Sequence, residues 1–312
     1  MNQKCFILVL LFISFLNADA QEIVKVKPAF EILREFDKIR DFTMDASGSE
    51  AYFTIQSQTE EKSVISKVVK VNDEWKTLSV ASFSGAYKDL EPFLSPDGLR
   101  LYFVSNRPLH DSITSTKDFD IWFVERSAPN NPWSKPKNLG APVNSENNEF
   151  YPTVSKNGNL YFTCDCPGAL GRDDIFFSEW KNNAYSTPIA LDENINSKGF
   201  EYNAYISKDD TFMIFGGYNR EDGLGSGDLY ISTKNSSGQW SKAKPLPLHI
   251  NSKYMDYCPF VDEKQNMLYF TSRRSASSNI KINTISELKE MLEAYENGNS
   301  RLYKARFSLL EK

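Results

Sequence analysis

Short apolar stretches bounded by polar turns run through most of the chain, and the pattern returns on itself. Leu-Glu-Pro-Phe-Leu-Ser-Pro-Asp-Gly at residues 90–98 is followed by Leu-Tyr-Phe-Val-Ser-Asn-Arg at 101–107. Tyr-Pro-Thr-Val-Ser-Lys-Asn-Gly at 151–158 precedes Leu-Tyr-Phe-Thr at 160–163. The unit recurs at 205–210 with 213–216, at 259–262 with 268–273, and more weakly at 43–48 with 51–54. An apolar strand, an Asp/Asn/Gly/Ser turn and an aromatic-rich second strand predict a β-hairpin each time.

The segments after each hairpin also repeat. Asp-Ile-Trp-Phe at 120–123, Asp-Ile-Phe-Phe at 174–177 and Asp-Leu-Tyr-Ile at 228–231 predict third strands. The segments at 133–139, 185–191 and 240–246, with a shorter copy at 75–78, predict fourth strands. Three units then close on Ile/Val-Asn-Ser, at 143–145, 195–197 and 250–252. A period of about 50–60 residues with four strands per unit matches propeller blades and not helical solenoids.

The ends set the count at five. In the last unit, residues 285–296 carry apolar positions at 285, 288, 292 and 295, a helical spacing, with Gly298 as a stop. A third strand comes next at 302–307, and no fourth. Residues 28–34 stand before the first hairpin, where a fourth strand lies in other units, and are expected to complete the last blade. Such closure satisfies edge hydrogen bonds that otherwise stay open. The predicted fold is all-β: a five-bladed β-propeller of four-stranded antiparallel blades with one short helix inserted in the last. The blades fall near 37–89, 90–148, 149–200, 201–255 and 256–312.

These repeats resemble the WD40-like β-propeller family of the TolB type. The resemblance covers the chain from about residue 28 onward. A variant found in outer-membrane proteins beside a peptidoglycan-binding domain has an aromatic-Pro-x-x-Ser-x-x-Gly hairpin, a Gly-x-Gly loop, Asp-Ile-Tyr and Trp-x-x-Pro-x-Asn-Leu-Gly. Residues 151–158, 168–175 and 133–140 are similar to these. The resemblance implies a propeller at the cell envelope; a wall-binding domain after the last blade is not expected. Function cannot be taken from the fold.

Composition narrows the classes. The 36 Lys+Arg against 41 Asp+Glu leave a net charge of −5, without the basic excess of a nucleic-acid binder. Two histidines, His110 and His249, nearly exclude an imidazole cluster. Lys4, the apolar run 5–16 and Ala-Asp-Ala at 18–20 form a signal-peptide pattern, with residues 21–312 as the exported propeller. No later stretch is apolar enough to span a bilayer. Cleavage leaves Cys164, Cys166 and Cys258, an odd number for an oxidising compartment. A bridge between Cys164 and Cys166 spans one residue and is expected to be strained; a Cys166–Cys258 bridge depends on the fold. Cys-Asp-Cys alone lacks the partners of a metal site, so neither metal nor cofactor is expected.

Acids recur at the start of first strands (Asp89, Glu149, Glu201, Asp256) and arginines after second strands (Arg107, Arg220, Arg273, Arg274). Blade 3 carries Cys166 at the arginine position. Charge pairs that hold each blade are the expected role. The alternative makes Glu149, Glu201 and Asp256 paired acids of a glycosidase or lyase at the channel mouth. Glu91, Tyr151, Asn203 and Cys258, with Phe42 in the first unit, vary where the frame repeats, and would face a ligand in the channel. The loop 108–119 with His110 is long, a position that carries recognition on rigid scaffolds. The glycine loops at 168–171 and 223–225 lead into strands and not helices, against a phosphate cradle. The function expected is a non-catalytic, monomeric binding module for an envelope protein or a saccharide, using Glu91, Tyr151, Asn203, Cys258, Arg107, Arg220, Arg273 and His110.

Overall fold

The computed structural model describes residues 25–307, apart from 111, 113, 114 and 278–280. The expected signal peptide lies outside the described residues, as does part of the loop carrying His110. Within them the chain forms five four-stranded antiparallel sheets and one small hairpin, Trp180–Lys181 with Ala184–Tyr185. Five blades therefore surround one axis, and the all-β propeller is the fold.

Each blade begins on an inner strand: Ile39–Met44, Asp89–Leu94, Glu149–Val154, Phe200–Ile206 and Asp256–Asp262. The second strands are Glu50–Gln56, Arg100–Ser105, Leu160–Cys164, Phe212–Tyr218 and Met267–Ser272. Their repeated aromatic pair explains the core. Phe53, Phe103, Phe162, Phe215 and Phe270 stand at equivalent positions, all fully buried. Burying a phenylalanine contributes about 1.5–3 kcal/mol, so five equivalent rings make the second strands the hydrophobic spine of the ring.

The outer strands are shorter than the pattern predicts. Lys137–Asn138, Ile189–Ala190 and Lys244–Pro245 pair over two residues each, against Glu74–Val80 in blade 1. Pro136, Pro188 and Pro245 lack an N–H for the ladder, which confines pairing to a stub. The aromatic that opens the fourth segment packs instead: Trp133 meets the Tyr52 ring edge-on at 6.2 Å and donates to its hydroxyl at 2.9 Å.

Closure runs through the two ends of the described chain. Lys27 and Pro28 pair with Lys304 and Tyr303 of the last blade, whose third strand is Arg301–Arg306. The expected closing strand at 28–34 is thus only Lys27–Pro28, and Glu31–Leu33 forms a 3₁₀ turn that buries Phe30 and Leu33 in the core. Arg301 is buried beneath this segment. It donates to the Arg34 carbonyl at 2.8 Å and to the Phe36 carbonyl, tying the closing segment to blade 1.

The inserted helix spans Ile285–Glu293, capped by Thr284 and Glu287 in a reciprocal capping box. It ends before Gly298, and no residue of it is buried; Ile285 is 80% exposed. The ring therefore leaves the apolar positions Ile285 and Leu292 exposed. The anchor is Tyr295, beyond the helix, which donates to the Leu302 carbonyl at 2.7 Å and meets Tyr303 edge-on. No helix of the described residues is long and apolar enough to cross a membrane.

Arg301→Ala removes two charge-assisted hydrogen bonds to the Arg34 and Phe36 carbonyls, each worth about 1.5–3 kcal/mol. The expected outcome is a loss of about 3 kcal/mol in urea unfolding, with amide exchange at Ala29 and Ile39 accelerating first. Unchanged stability would mean that the Lys27–Pro28 pairing alone closes the ring.

Candidate functional site

The acids at the start of the inner strands are built into the frame. In blade 2 the Asp89 carboxylate accepts from Ser84 (2.9 Å), Ser105 (2.7 Å) and Arg107 (2.6 Å). In blade 5 Asp256 accepts from Ser252 (2.8 Å) and Arg274 (2.9 Å), and Arg274 also bonds Ser272 at 2.9 Å. In blade 4 Glu201 takes Ser197 at 2.7 Å and lies 3.5 Å from Arg220. Burial pushes the Glu201 carboxyl up, against the pull of Ser197 and Arg220. All three acids are fully buried.

The Ile/Val-Asn-Ser closers explain how these latches connect neighbours. Asn144, Asn196 and Asn251 each exchange two hydrogen bonds with the backbone of a third strand, at Ile121, Ile175 and Leu229. The serine after each one bonds the acid of the next blade. The glycine loops serve the same end. Leu170 and Leu224 donate their amides to Asp174 and Asp228, so the loop already holds an anion from its own strand. A Cβ on Gly171 or Gly225 would come within 2.4 Å of a carbonyl in the Ser197–Gly199 or Ser252–Tyr254 turn.

Blade 3 differs. Glu149 has Ser145 at 2.5 Å but no cation among the described residues, and the positions of Ser105 and Arg107 are taken by Cys164 and Cys166. Those two cysteines form a disulfide, and Cys258 is free and buried. The pairing left open by the sequence is thus the one across a single residue, with Cys164 at the end of a strand and the two Cα atoms 5.1 Å apart. A Cys166–Cys258 bridge is excluded by the same pairing. Burial pushes the Glu149 carboxyl up to about 7, with the Ser145 hydrogen bonds acting against it.

On the axis, one residue from each inner strand has a left-handed backbone: Asp41, Glu91, Tyr151, Asn203 and Cys258, with φ of 62°, 58°, 48°, 53° and 52°. At each the pairing with the second strand slips, a β-bulge that re-aims the side chain. The blade-1 member is Asp41 and not Phe42. Phe42 takes the place of the hairpin proline and points into the aromatic core, stacked on Tyr269 at 4.6 Å. Counting back from the apolar run, rather than from the proline, finds Asp41.

These five residues plug the channel; none is more than 6% exposed. Arg40 donates to Asp41 and to Glu91, both at 2.8 Å. The Cys258 thiol donates to Asp41 at 2.8 Å. The Tyr151 hydroxyl crosses to the Pro259 carbonyl at 3.3 Å. Glu91 also accepts the Tyr151 amide at 2.7 Å. In two other blades that bulge amide finds a threonine next door: Glu91 N reaches Thr54 and Asn203 N reaches Thr163. The equivalent of those threonines in blade 2 is Val104, so the Glu91 side chain supplies the missing acceptor. Burial pushes the Glu91 carboxyl up, with Arg40 pulling it down, and burial together with Asp41 raises the Cys258 thiol.

The remaining sequence-selected residues separate. Arg107 and Arg220 sit in latches, beside Asp89 and Glu201. Arg273 is not the blade-5 latch; it is exposed, donates to Ser300 at 3.2 Å and lies 5.9 Å from the Tyr257 ring, with Arg40 5.5 Å from the same ring. His110 is exposed in its loop. Sequence reasoning missed a cleft of about 400 Å³ between blades 2 and 3, whose walls include Arg100, Tyr102, Glu125, Trp180 and Tyr185. Arg100 bonds Glu125 at 2.5 Å and Tyr102 at 3.2 Å, and Trp180 meets Tyr185 edge-on at 4.7 Å. The signal was Trp180, an aromatic opposite Tyr185 where blades 1 and 4 set Lys70 and Lys234 opposite Trp75 and Trp240.

No family model matches the sequence, and no curated protein matches it. Solved structures do. A protein described as a glycoside hydrolase superposes with a TM-score of 0.57 at 9% identity, over 93% of both chains. A GH62 hydrolase in complex with xylotriose gives 0.54 at 11%, over 90% of this chain and 96% of that one. An α-L-arabinofuranosidase from Podospora anserina in complex with cellotriose gives 0.52 at 12%, over 90% and 95%. At such identities the likeness is one of fold.

The latches make a paired prediction. Arg107→Ala leaves the buried Asp89 without its cation and is expected to cost about 3–5 kcal/mol in chemical unfolding. Glu149 has no such cation to lose. Its folded pKa lies above its unfolded one, so its contribution is complete below the ordinary carboxylate range and is lost as pH rises through about 7. Glu149→Gln in the oxidised protein is therefore expected to leave stability unchanged at about pH 4 and to raise it by about 3 kcal/mol at about pH 8.

Proposed function

We propose that the protein is an exported, non-catalytic recognition propeller that binds a saccharide in the cleft between blades 2 and 3. The observation that carries this reading is the plugged axis. Hydrolysis by two carboxylates needs both to reach substrate with a water or a nucleophile between them. Here Glu149, Glu201 and Asp256 are sealed in the frame, while Asp41 and Glu91 are committed to Arg40, Cys258 and the Tyr151 amide.

The off-axis cleft has what a sugar-binding surface uses: aromatic faces for the apolar side of a pyranose, and a charged pair for its hydroxyls. Trp180 and Tyr185 supply the first, and Arg100 with Glu125 the second. The size of the hollow is within the range of small-ligand sites. Glycoside hydrolases of the same fold add an analogy for the ligand class. Export rests on the signal-peptide pattern, and kinship with TolB-type envelope propellers on the repeat motifs. A hydrolase reading draws on one observation, two carboxylates, Asp41 and Glu91, held on the single Arg40 guanidinium.

The test is a glycan array beside a panel of chromogenic glycosides. The expected result is binding without turnover, weakened at least tenfold by Trp180→Ala or Arg100→Ala while circular dichroism is unchanged. A blank array overturns the saccharide. Turnover abolished by Glu91→Gln or Asp41→Asn overturns the non-catalytic reading.

A further inference from the structure

In blades 2 and 5 the second strand runs into a Ser-x-Arg tripeptide, Ser105 to Arg107 and Ser272 to Arg274, and both ends of it hold the blade's buried acid or each other. Blade 3 puts Cys164 and Cys166 at those two places. The exchange removes the guanidinium and leaves a buried carboxylate facing two sulfurs. Glu149 Oε1 lies 3.8 Å from Cys164 Sγ and 3.7 Å from Cys166 Sγ. One donor atom from each of the three residues falls within a 4.8 Å span. Ser145 Oγ is 3.9 Å from Cys166 Sγ. Glu149 is fully buried, and its Oε2 has no hydrogen-bond partner among the described residues.

We propose that the reduced Cys164–Cys166 pair and Glu149 form a binding site for a thiophilic d¹⁰ dication such as zinc, closed when the pair is oxidised. The cation supplies the positive charge that arginine supplies in blades 2, 4 and 5. Two thiolates and one carboxylate are a normal donor set for such an ion, with Ser145 Oγ or a water in the fourth tetrahedral position. Cys164 is buried and Cys166 half-buried, so the ion enters past Cys166. The spacing of the two cysteines alone omits Glu149, which belongs to the neighbouring inner strand, and so gave no metal site.

A dithiol reductant reduces the S–S bond with two electrons and two protons, leaving two thiols, and is itself oxidised to a disulfide. Binding of the dication releases the two thiol protons. Thiol–disulfide exchange with an oxidised dithiol, which takes up the two electrons, with two protons from solvent, and leaves as two thiols, re-forms the Cys164–Cys166 bond, removes both thiolates and expels the ion. The site is therefore gated by the redox state of its own ligands.

Cadmium serves as the probe, because its thiolate complexes absorb in the ultraviolet. The whole protein is reduced with a water-soluble phosphine, which becomes the phosphine oxide, freed of excess reductant without air, and titrated with Cd²⁺. The expected result is a sulfur-to-cadmium absorption band saturating at one equivalent in the reduced protein and no such band in the oxidised one. Glu149→Gln should keep the band and weaken affinity by about tenfold or more. Cys166→Ser should abolish it, and Cys258→Ser should not. If Cys166→Ser does not fold, carboxamidomethylation of the reduced native protein is the substitute, with the same loss expected. A band that survives blocking of Cys164 and Cys166, an unchanged affinity in Glu149→Gln, or no band in the reduced protein overturns the proposal.

Discussion

A ring of five sheets leaves an axis wide enough for about one side chain per blade, and that shared space governs the rest of the molecule. Each inner strand meets it by the same device, a residue forced into the left-handed region at a bulge. None of the five is a glycine, and a non-glycine residue held there costs about 1–3 kcal/mol. The strain persists because the surroundings bind it from both sides. The bulge amides of Glu91, Tyr151 and Asn203 are taken up by the blade before, and the side chains of Asp41, Glu91 and Cys258 are tied to neighbours across the axis. The ring holds its own centre shut.

A second circle of contacts, further from the axis, joins blade to blade by buried charge. The logic is local: a serine from the connector, an acid from the inner strand and an arginine from the end of the second strand. A buried carboxylate without a cation is costly, which is why the three-part latch recurs where the acid is sealed from water. Blade 3 replaces the ionic closure with a covalent one and leaves Glu149 without a cation, so that burial pushes its carboxyl up. Among the described residues, blade 3 alone thereby carries a redox-sensitive link in place of the guanidinium.

The frame was legible in the sequence because its determinants are periodic. The Tyr-Phe pair of the second strand, the Asp-Ile of the third and the Asn-Ser closer each recur at a fixed place, and each has one structural duty. The illegible features are departures from the period. Phe42 for Asp41 is a slip of one residue in a blade where Phe42 itself takes the place of the proline used as a marker. The outer strands read long because their aromatic residue looks like strand but packs sideways, and proline then stops the ladder. The closing strand read long because Phe30 and Leu33 are apolar for the sake of the core, not of a sheet. The disulfide was unreadable from spacing because it depends on the 5.1 Å approach of the two Cα atoms at the end of a strand.

The proposed recognition role is shaped by the same closure. In an open propeller the axis concentrates side chains from every blade on one ligand, and catalysis there draws on groups brought from far apart in sequence. Here those groups are spent on one another: the Arg40 guanidinium on Asp41 and Glu91, and the Cys258 thiol on Asp41. A ligand must therefore meet groups the frame does not need. Trp180 is such an addition, since it faces Tyr185 where blades 1 and 4 place a lysine, and it forms no part of any latch. It stands over the gap between two rigid blades, where Arg100 and Glu125 are already oriented by their pairing. A site on a preordered wall loses little freedom on binding, so modest contacts suffice for specificity. The periodic residues thus make the scaffold, and the residues that break the period are where function is to be sought.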